Sequence, residues 1–293
     1  MFSGSLVAIA TPMRTDGALD WPAWSRLIDF HLENGTSGIV VAGTTGESAT
    51  LTDAELQGLV ERACERVAGR IAVIAGAGSS STAATVERAR WLSKLPVHAL
   101  LVVTPAYNRP TQEGLYRHFS AVAEASRIAV IPYNVPSRTA VDMLPETVAR
   151  LSRLERIVAV KEAVPEIARI RKLAQLCKPG FAILSGDDAT ARDAVLAGAA
   201  GVISVTANVA PRAMSQLMAA AARGERERAA ELDAPLASLH RALFLEANPI
   251  PVKWALARMG LIEGGIRLPL TELAEPYHSA LVAALREGGV IGG

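Results

Sequence analysis

Lysine is scarce in this chain, which has five lysines against twenty-five arginines. Because arginine supplies most of the basic charge, a lysine at an unusual position is informative. Lys161 directly follows the apolar run Ile157–Val160, a predicted strand. Burial there would disfavour the ammonium ion and lower its pKa, and a neutral amine attacks carbonyl carbons. Lys161 is therefore a candidate Schiff-base nucleophile, and the alternative is a strand-end lysine whose amine extends into water.

The chain also has few cysteines and almost no net charge. Two cysteines without CxxC spacing argue against a disulfide framework or a zinc site and fit a reducing cytoplasm. The net charge is +1 with no basic tract, which argues against a nucleic-acid partner. Residues 1–13 have no basic segment, and their apolar run is too short for export or membrane spanning. We expect a cytoplasmic protein with no membrane partner, no metal site and no cofactor.

Aromatic residues make up 4% of the chain, whereas half of it is hydrophobic, so the core must be mainly aliphatic. Short apolar runs recur with helical stretches between them, and their continuous hydrophobicity indicates parallel strands buried on both faces. Eight such units predict an α/β fold, a (β/α)8 TIM barrel; an open doubly wound sheet is the alternative, but its edge strands should be less apolar. The runs are Leu6–Ala10, Gly38–Ala42, Ile71–Ala75, Ala99–Val103, Ile128–Ile131, Ile157–Val160, Phe181–Leu184 and Gly201–Val205.

The strand pattern ends after Asn208, and only helical patterns follow. We place a domain boundary near Gly224, which gives a catalytic barrel over 1–224 and a C-terminal helical domain over 225–293. Several helices also have recognisable start signals, notably Thr52, Ser81 and the Asp187-Asp188 pair. The predicted late helices are Pro211–Arg223, Glu225–Phe244, Pro249–Met259 and Thr271–Glu287.

Small and polar residues follow most of the predicted strands. In a barrel the loops after the strands share one face, so Lys161, Tyr107, Tyr133 and several hydroxyls should converge there. A lysine, phenols and hydroxyls are what a Schiff-base aldolase requires. Two of the motifs that follow strands also have a purely structural interpretation. The segment GTTGES at 43–48 could be only a turn with a helix cap, and Asp187-Asp188 favours caps over a metal pair.

With these residues in view, the chain resembles the dihydrodipicolinate synthase family over its whole length. That family has a (β/α)8 barrel and a C-terminal helical domain, which agrees with the pattern of strands and helices. The motifs that support the resemblance are GTTGESATL (43–51), VTPAYNRPTQEGLY (103–116), YNVPSRT (133–139), VKEA (160–163), LSGDD (184–188), GVISVTANV (201–209) and NPIPVKWA (248–255).

The resemblance implies a metal-free condensation of pyruvate with L-aspartate 4-semialdehyde in lysine (diaminopimelate) biosynthesis. Lys161 would form the imine with pyruvate, and Thr44, Tyr107 and Tyr133 would relay protons. Tyr107 would reach in from a neighbouring subunit of a homotetramer, a dimer of dimers. Thr45 would hold the pyruvate carboxylate together with Thr44.

Arg138 would bind the carboxylate of the semialdehyde, while Gly186 and Ile203 would line the pocket through backbone groups. The resemblance extends to N-acetylneuraminate lyases and 2-keto-3-deoxy-sugar-acid aldolases, which share the fold, lysine and tyrosine but need no such arginine. A non-catalytic paralogue is a further alternative. Such a protein would be expected to lack Lys161, Tyr133 or Arg138, and all three are present.

One set of positions departs from the lysine-inhibited members of the family. Those members bind lysine between subunits through a His, an Asn, a Glu and a Tyr. The corresponding residues here are Leu56, Ser80, Ala84 and Ala106. Without an anionic partner a cationic amino acid gains little, so we expect weak or absent feedback inhibition by lysine.

Overall fold

The computed structural model describes residues 2–292. Within them, eight parallel strands close into a barrel in which each strand lies beside its neighbour in sequence and β8 pairs with β1. The predicted TIM barrel is confirmed, and every predicted strand is present with ends shifted by no more than a few residues. The strands are β1 (Gly4–Ala8), β2 (Gly38–Val41), β3 (Ala72–Gly76), β4 (Ala99–Val103), β5 (Ala129–Asn134), β6 (Ala159–Glu162), β7 (Ala182–Ser185) and β8 (Gly201–Ser204).

The helices surround the barrel and then form the C-terminal part of the chain. Short 3₁₀ turns occupy Thr206–Asn208, Ala234–Leu236 and Glu275–Tyr277. The α-helices are α1 (Trp21–Glu33), α2 (Asp53–Val67), α3 (Thr82–Leu92), α4 (Gln112–Ala125), α5 (Pro136–Thr139), α6 (Pro145–Ser152), α7 (Ile167–Leu176), α8 (Ala191–Leu196), α9 (Pro211–Ala222), α10 (Arg226–Asp233), α11 (Ala237–Ala242), α12 (Ile250–Arg258) and α13 (His278–Glu287).

Two clusters of buried apolar side chains form the core. One fills the barrel and includes Leu6, Val40, Ile74 and Tyr133. The other, much larger, lies between the strands and the helices. Alternate residues of each strand contribute to the two clusters, which explains why the strands are apolar on both faces. Among residues 2–292, none of the helices combines the length and apolarity that crossing a bilayer requires.

Two of the predicted late helices are wrong in extent. The predicted helix Glu225–Phe244 is divided into α10 and α11 by a 3₁₀ turn at Pro235, because proline has no amide hydrogen to continue the helical bonding. The predicted helix Thr271–Glu287 starts only at His278, directly after a 3₁₀ turn that contains Pro276. The division at Gly224 between a barrel and a helical domain stays a prediction, since α9 ends at Ala222 and α10 follows closely.

Two of the three helix-start signals are confirmed, and the third, the Asp187-Asp188 pair, is confirmed only in part. Thr52 forms a capping box with Glu55, and the Ser81 side chain accepts a hydrogen bond from the Ala84 amide. Asp187 Oδ1 accepts a hydrogen bond from the Thr190 amide (2.9 Å) directly before α8, but the expectation that Asp188 caps this helix is wrong. Its Oδ2 instead accepts bonds from the amides of Val205 (2.8 Å) and Thr206 (2.9 Å), just beyond β8.

Candidate active site

Lys161 and Tyr133 lie directly opposite each other on neighbouring strands. The register of β5 and β6 pairs them, and the Lys161 amine is 4.2 Å from the centroid of the Tyr133 ring. Tyr133 was expected beyond its strand but lies within β5, because backbone pairing continues through the polar end of the run. Both residues are buried, with exposures of 5% for Lys161 and 6% for Tyr133. An amine and a phenol are thus held close together and largely shielded by protein atoms.

Burial alters the acid–base properties of both groups. It lowers the pKa of Lys161 from 10.5 to about 8; the carboxylate of Asp188 acts in the opposite direction and Arg138 in the same direction. Burial also raises the pKa of Tyr133 above its ordinary value, while Arg138 and hydrogen bonding to Thr44 partly oppose that change. At neutral pH the site therefore combines a weakly basic amine with a protonated phenol.

Gly186 gives the lysine side chain the space that it occupies. A Cβ atom at this position would lie 3.0 Å from Lys161 Cε and 2.9 Å from Ala163 Cβ. Any larger residue would therefore push the lysine from its position opposite Tyr133. The absence of a side chain here keeps that arrangement sterically feasible.

The loop after β2 and the start of α12 form the opposite wall. The Asn248 side-chain amide donates to Thr45 Oγ1 (3.0 Å), and the Arg138 guanidinium donates to the Asn248 carbonyl oxygen (3.0 Å). Asn248 thereby connects the buried Thr45 to Arg138, which lies exposed at the mouth. This chain of contacts places an arginine and hydroxyl groups on the same side of the lysine.

These residues enclose one cavity of about 440 Å³, a size suited to small ligands. Six of the eight predicted site residues line it. Two do not: Ile203 lies inside the barrel-filling cluster, and Tyr107 is 96% exposed with a left-handed φ of 69°. The six residues that the structure brings together are Thr44, Thr45, Tyr133, Arg138, Lys161 and Gly186.

Comparison with known proteins assigns the chain to a family. The sequence model of the dihydrodipicolinate synthetase family matches residues 1–288. The chain belongs to this family. The resemblance noted from the motifs is thereby confirmed.

Relatives in the dihydrodipicolinate synthetase family are similar over their full length. The chain is 54% identical over 291 residues to the 4-hydroxy-tetrahydrodipicolinate synthase of Ectopseudomonas mendocina (strain ymp), a match that covers 99% of this chain and 100% of the relative. The corresponding enzyme of Stutzerimonas stutzeri (strain A1501) is 53% identical with the same coverage.

Solved structures of the family agree with the fold. The chloride-inhibited dihydrodipicolinate synthase from Acinetobacter baumannii, complexed with pyruvate, superposes with a TM-score of 0.98 at 46% identity and covers 99% of this chain and 100% of that one. A monomeric dihydrodipicolinate synthase variant superposes with a TM-score of 0.96 at 44% identity, covering 99% of this chain and 98% of that one.

Two features of this family member's site are visible only in the structure. Asn248 appears in the sequence only as the first residue of the motif NPIPVKWA, although it contacts both Thr45 and Arg138. Asp188 is predicted to be a cap, but it is buried. Its carboxylate partly opposes the lowering of the Lys161 pKa by burial. Their positions in the motifs NPIPVKWA and LSGDD were the available signal.

A second buried lysine supports the loop that contains Thr44 and Thr45. Lys253 on α12 forms an ion pair with Glu47, and Glu47 Oε2 also accepts from the Arg267 amide at 3.1 Å. Lys253 is 2% and Glu47 3% exposed, so both charges are removed from water. Among residues 2–292 Lys161 forms no comparable ion pair, so its amine is not held by a carboxylate as the Lys253 amine is.

Proposed function

We propose that this protein condenses pyruvate with L-aspartate 4-semialdehyde through a Schiff base on Lys161. The product is 4-hydroxy-tetrahydrodipicolinate, an intermediate of the lysine (diaminopimelate) pathway. The observation that supports this proposal most strongly is the buried, weakly basic amine opposite Tyr133, in a cavity whose mouth contains Arg138. The names of the full-length relatives support the same activity.

The chemistry follows from a buried amine whose neutral fraction is raised by its lowered pKa. The Lys161 nitrogen attacks the ketone carbon of pyruvate, and water leaves to give an iminium ion. The iminium withdraws electrons, so the pyruvate methyl group loses a proton and an enamine forms. Its methylene carbon then attacks the aldehyde of the second substrate. The amino group of that substrate finally displaces Lys161 by transimination, which closes the ring and regenerates the free amine.

Protons must move at each of these steps, and hydroxyl groups can transfer them. Tyr133 is nearest to the amine and acts as general acid and base in our proposal, with Thr44 as its hydrogen-bonding neighbour. Tyr107 continues the relay from a partner subunit. Its exposure of 96% supports this assignment, because it projects from the subunit.

Two groups of donors bind the two carboxylates. The Thr44 and Thr45 segment holds the carboxylate of pyruvate, and Arg138 binds that of the semialdehyde with two parallel hydrogen bonds. Gly186 and Ile203 contribute backbone groups near the lysine. These residues and the partner-subunit tyrosine complete the site. In our proposal the active assembly is a homotetramer, a dimer of dimers, and it is located in the cytoplasm.

The first prediction concerns pH. If Lys161 has a pKa of about 8, about one tenth of the amine is neutral at pH 7, against about one in three thousand for an ordinary lysine. The lowered pKa means that the reactive form increases as pH rises, reaches one half near pH 8 and approaches saturation about one unit above it. Imine formation, trapped with cyanoborohydride at a series of pH values, should rise about tenfold per unit up to about pH 7, more slowly through pH 8, and level off about one unit above pH 8. A rise that continues to pH 10 would indicate an unperturbed amine.

The second prediction concerns the second substrate. Initial rates with pyruvate should be much higher with aspartate semialdehyde than with sugar aldehydes. Arg138→Ala should raise the KM for the semialdehyde about a hundredfold, because a bidentate charged contact is lost, and should leave imine formation with pyruvate intact. Arg138→Lys is the matched control, since lysine keeps the positive charge but cannot make two parallel hydrogen bonds to one carboxylate. It should restore only part of the affinity for the semialdehyde. Faster turnover of sugar aldehydes by the unmodified enzyme would favour the sugar-acid aldolase alternative.

The third prediction concerns regulation. The purified enzyme should retain its activity in sub-millimolar lysine, because Ala84 and Ala106 offer neither an anion nor a hydroxyl to a cationic amino acid. Calorimetric titration of the enzyme with lysine provides an independent measure of binding. Ala84→Glu combined with Leu56→His is the matched variant and should gain measurable lysine affinity. Strong inhibition of the unmodified enzyme would contradict this prediction.

A further inference from the structure

The seam between β5 and β6 is irregular just below Lys161 and Tyr133. An isolated bridge pairs Val130 with Ile157, and the next pairs are Tyr133 with Lys161 and Asn134 with Glu162. Two residues separate the paired positions on β5, whereas three separate them on β6. The extra residue is a local bulge, so the backbone ladder is interrupted between the bridge and the reactive pair.

Pro132 weakens this seam further because it has no amide hydrogen for the ladder. The bond from the Val158 amide to the Val130 carbonyl is long, at 3.4 Å. By contrast, β4 and β5 pair over five consecutive residues. A slip of one residue on β6 would turn the Lys161 side chain out of the barrel. On its other side β6 pairs with β7 over four consecutive residues, Ala159–Glu162, so the weak ladder is confined to the β5–β6 seam. The position of Tyr133 relative to Lys161 therefore depends on the other contacts that cross this seam.

Four polar side chains form a network across this seam, directly after the reactive pair. Asn134 Nδ2 donates to Glu162 Oε1 (3.0 Å) and to Asp142 Oδ1 (2.8 Å). Arg169 from α7 donates through Nε to Glu162 Oε2 (3.2 Å) and through Nη1 to Asp142 Oδ2 (2.9 Å). We call Asn134, Asp142, Glu162 and Arg169 the seam clamp.

The seam clamp is also anchored to the backbone on both sides. The Met143 amide donates to Asn134 Oδ1 (2.9 Å), and the Val164 amide donates to Glu162 Oε1 (2.9 Å). Asn134 and Glu162 are 0% and 1% exposed. Side chains alternate along a strand, so Asn134 and Glu162 face away from the barrel interior that contains Tyr133. They belong behind the site rather than in contact with substrate.

We propose that the seam clamp fixes the register of β5 and β6 and thereby positions Lys161 and Tyr133 for proton transfer. Its members are positioning residues, since they act through the strands. This inference rests on the proposed function, in which amine and phenol act together. Turnover of the unmodified enzyme tests that function separately from the clamp.

The test is Glu162→Gln, which places an amide donor opposite the donor Nε of Arg169 and so breaks the network with little change in volume. Active sites are first counted by mass spectrometry after pyruvate and cyanoborohydride. We expect kcat per counted site to fall about tenfold to a hundredfold, the effect of misplacing a reactive pair, while the KM for pyruvate changes less than about threefold. A purely structural loss would reduce the number of sites and leave the rate at each site unchanged.

Two further variants distinguish positioning from general destabilisation. Ile28→Val on α1 removes one buried methylene far from the seam and should keep the unmodified kcat per site. The conservative variant Glu162→Asp keeps the carboxylate as an acceptor for Asn134 and Arg169 and should retain more of the unmodified kcat per site than Glu162→Gln. If Glu162→Gln does not fold, Asp142→Asn, at the more exposed end of the clamp, replaces it and should lower kcat per site by a smaller factor.

An unmodified kcat per site in a folded Glu162→Gln or Asp142→Asn enzyme would overturn the clamp inference, provided that the unmodified enzyme turns over both substrates. Equal loss of kcat per site in the Ile28→Val control would overturn it as well. Failure of the unmodified enzyme to consume the semialdehyde would instead overturn the proposed function.

Discussion

Lys161→Met should lower turnover of pyruvate and aspartate semialdehyde by about a thousandfold or more, because the covalent intermediate cannot form without the amine. The measurement is a steady-state assay with both substrates at saturation. Lys161→Arg is the matched control: it retains a cation in the pocket but cannot be deprotonated, so it should be equally inactive. Substantial activity in either variant would show that the amine is not the nucleophile.

The loss in Lys161→Met should not come from unfolding. A pKa lowered from 10.5 to about 8 corresponds to a penalty of about 3 kcal/mol in the folded state at neutral pH. The folded pKa lies below the unfolded one, so this penalty is fully present below pH 8 and disappears as pH rises from 8 to 10.5. Methionine removes it, and thermal unfolding at pH 7 should show a melting temperature no lower than that of the unmodified enzyme.

Lys253→Met should have the opposite effect and strongly destabilise the protein. It leaves Glu47 buried without its cationic partner, which costs about 3–5 kcal/mol for a buried pair and lowers the melting temperature by about 10 °C. Calorimetry or circular dichroism measures the change. Because Glu47 belongs to the loop that contains Thr44 and Thr45, weaker pyruvate binding should accompany it.

The matched control for this prediction is the double variant Lys253→Met with Glu47→Gln. Removing both charges avoids an unpaired buried carboxylate and should recover most of the lost stability. A Lys253→Met protein as stable as the unmodified one would contradict the view that the Lys253–Glu47 ion pair stabilises the packing of α12 against the loop that contains Thr44 and Thr45. The contrast between the two methionine variants separates a reactive buried lysine from a structural one.

The barrel could be predicted from sequence because each strand is a short apolar run buried on both faces. The same pattern identified Lys161, since a lysine directly after such a run is chemically unusual. Strand ends were less accurate. Tyr133 and Asn134 extend β5 beyond its apolar part because backbone pairing does not depend on side-chain polarity. Likewise, Pro235 interrupts a predicted helix whose hydrophobic spacing continues on both sides.

Contacts between distant parts of the chain could not be predicted in this way. Asn248 reaches Thr45 across 203 positions, and Lys253 reaches Glu47 across 206. Periodicity within a segment carries no information about which segment lies opposite. The motifs showed which residue types are present, whereas the pairing of Asn248 with Thr45 became visible only in three dimensions.

Trapping with pyruvate and cyanoborohydride, followed by peptide mapping and mass spectrometry, tests the central claim most directly. The account predicts one pyruvate-derived adduct, located on Lys161, with Lys253 and the three other lysines unmodified. The adduct should be absent from Lys161→Met. An adduct on another lysine, or no adduct in an enzyme that turns over both substrates, would contradict the account.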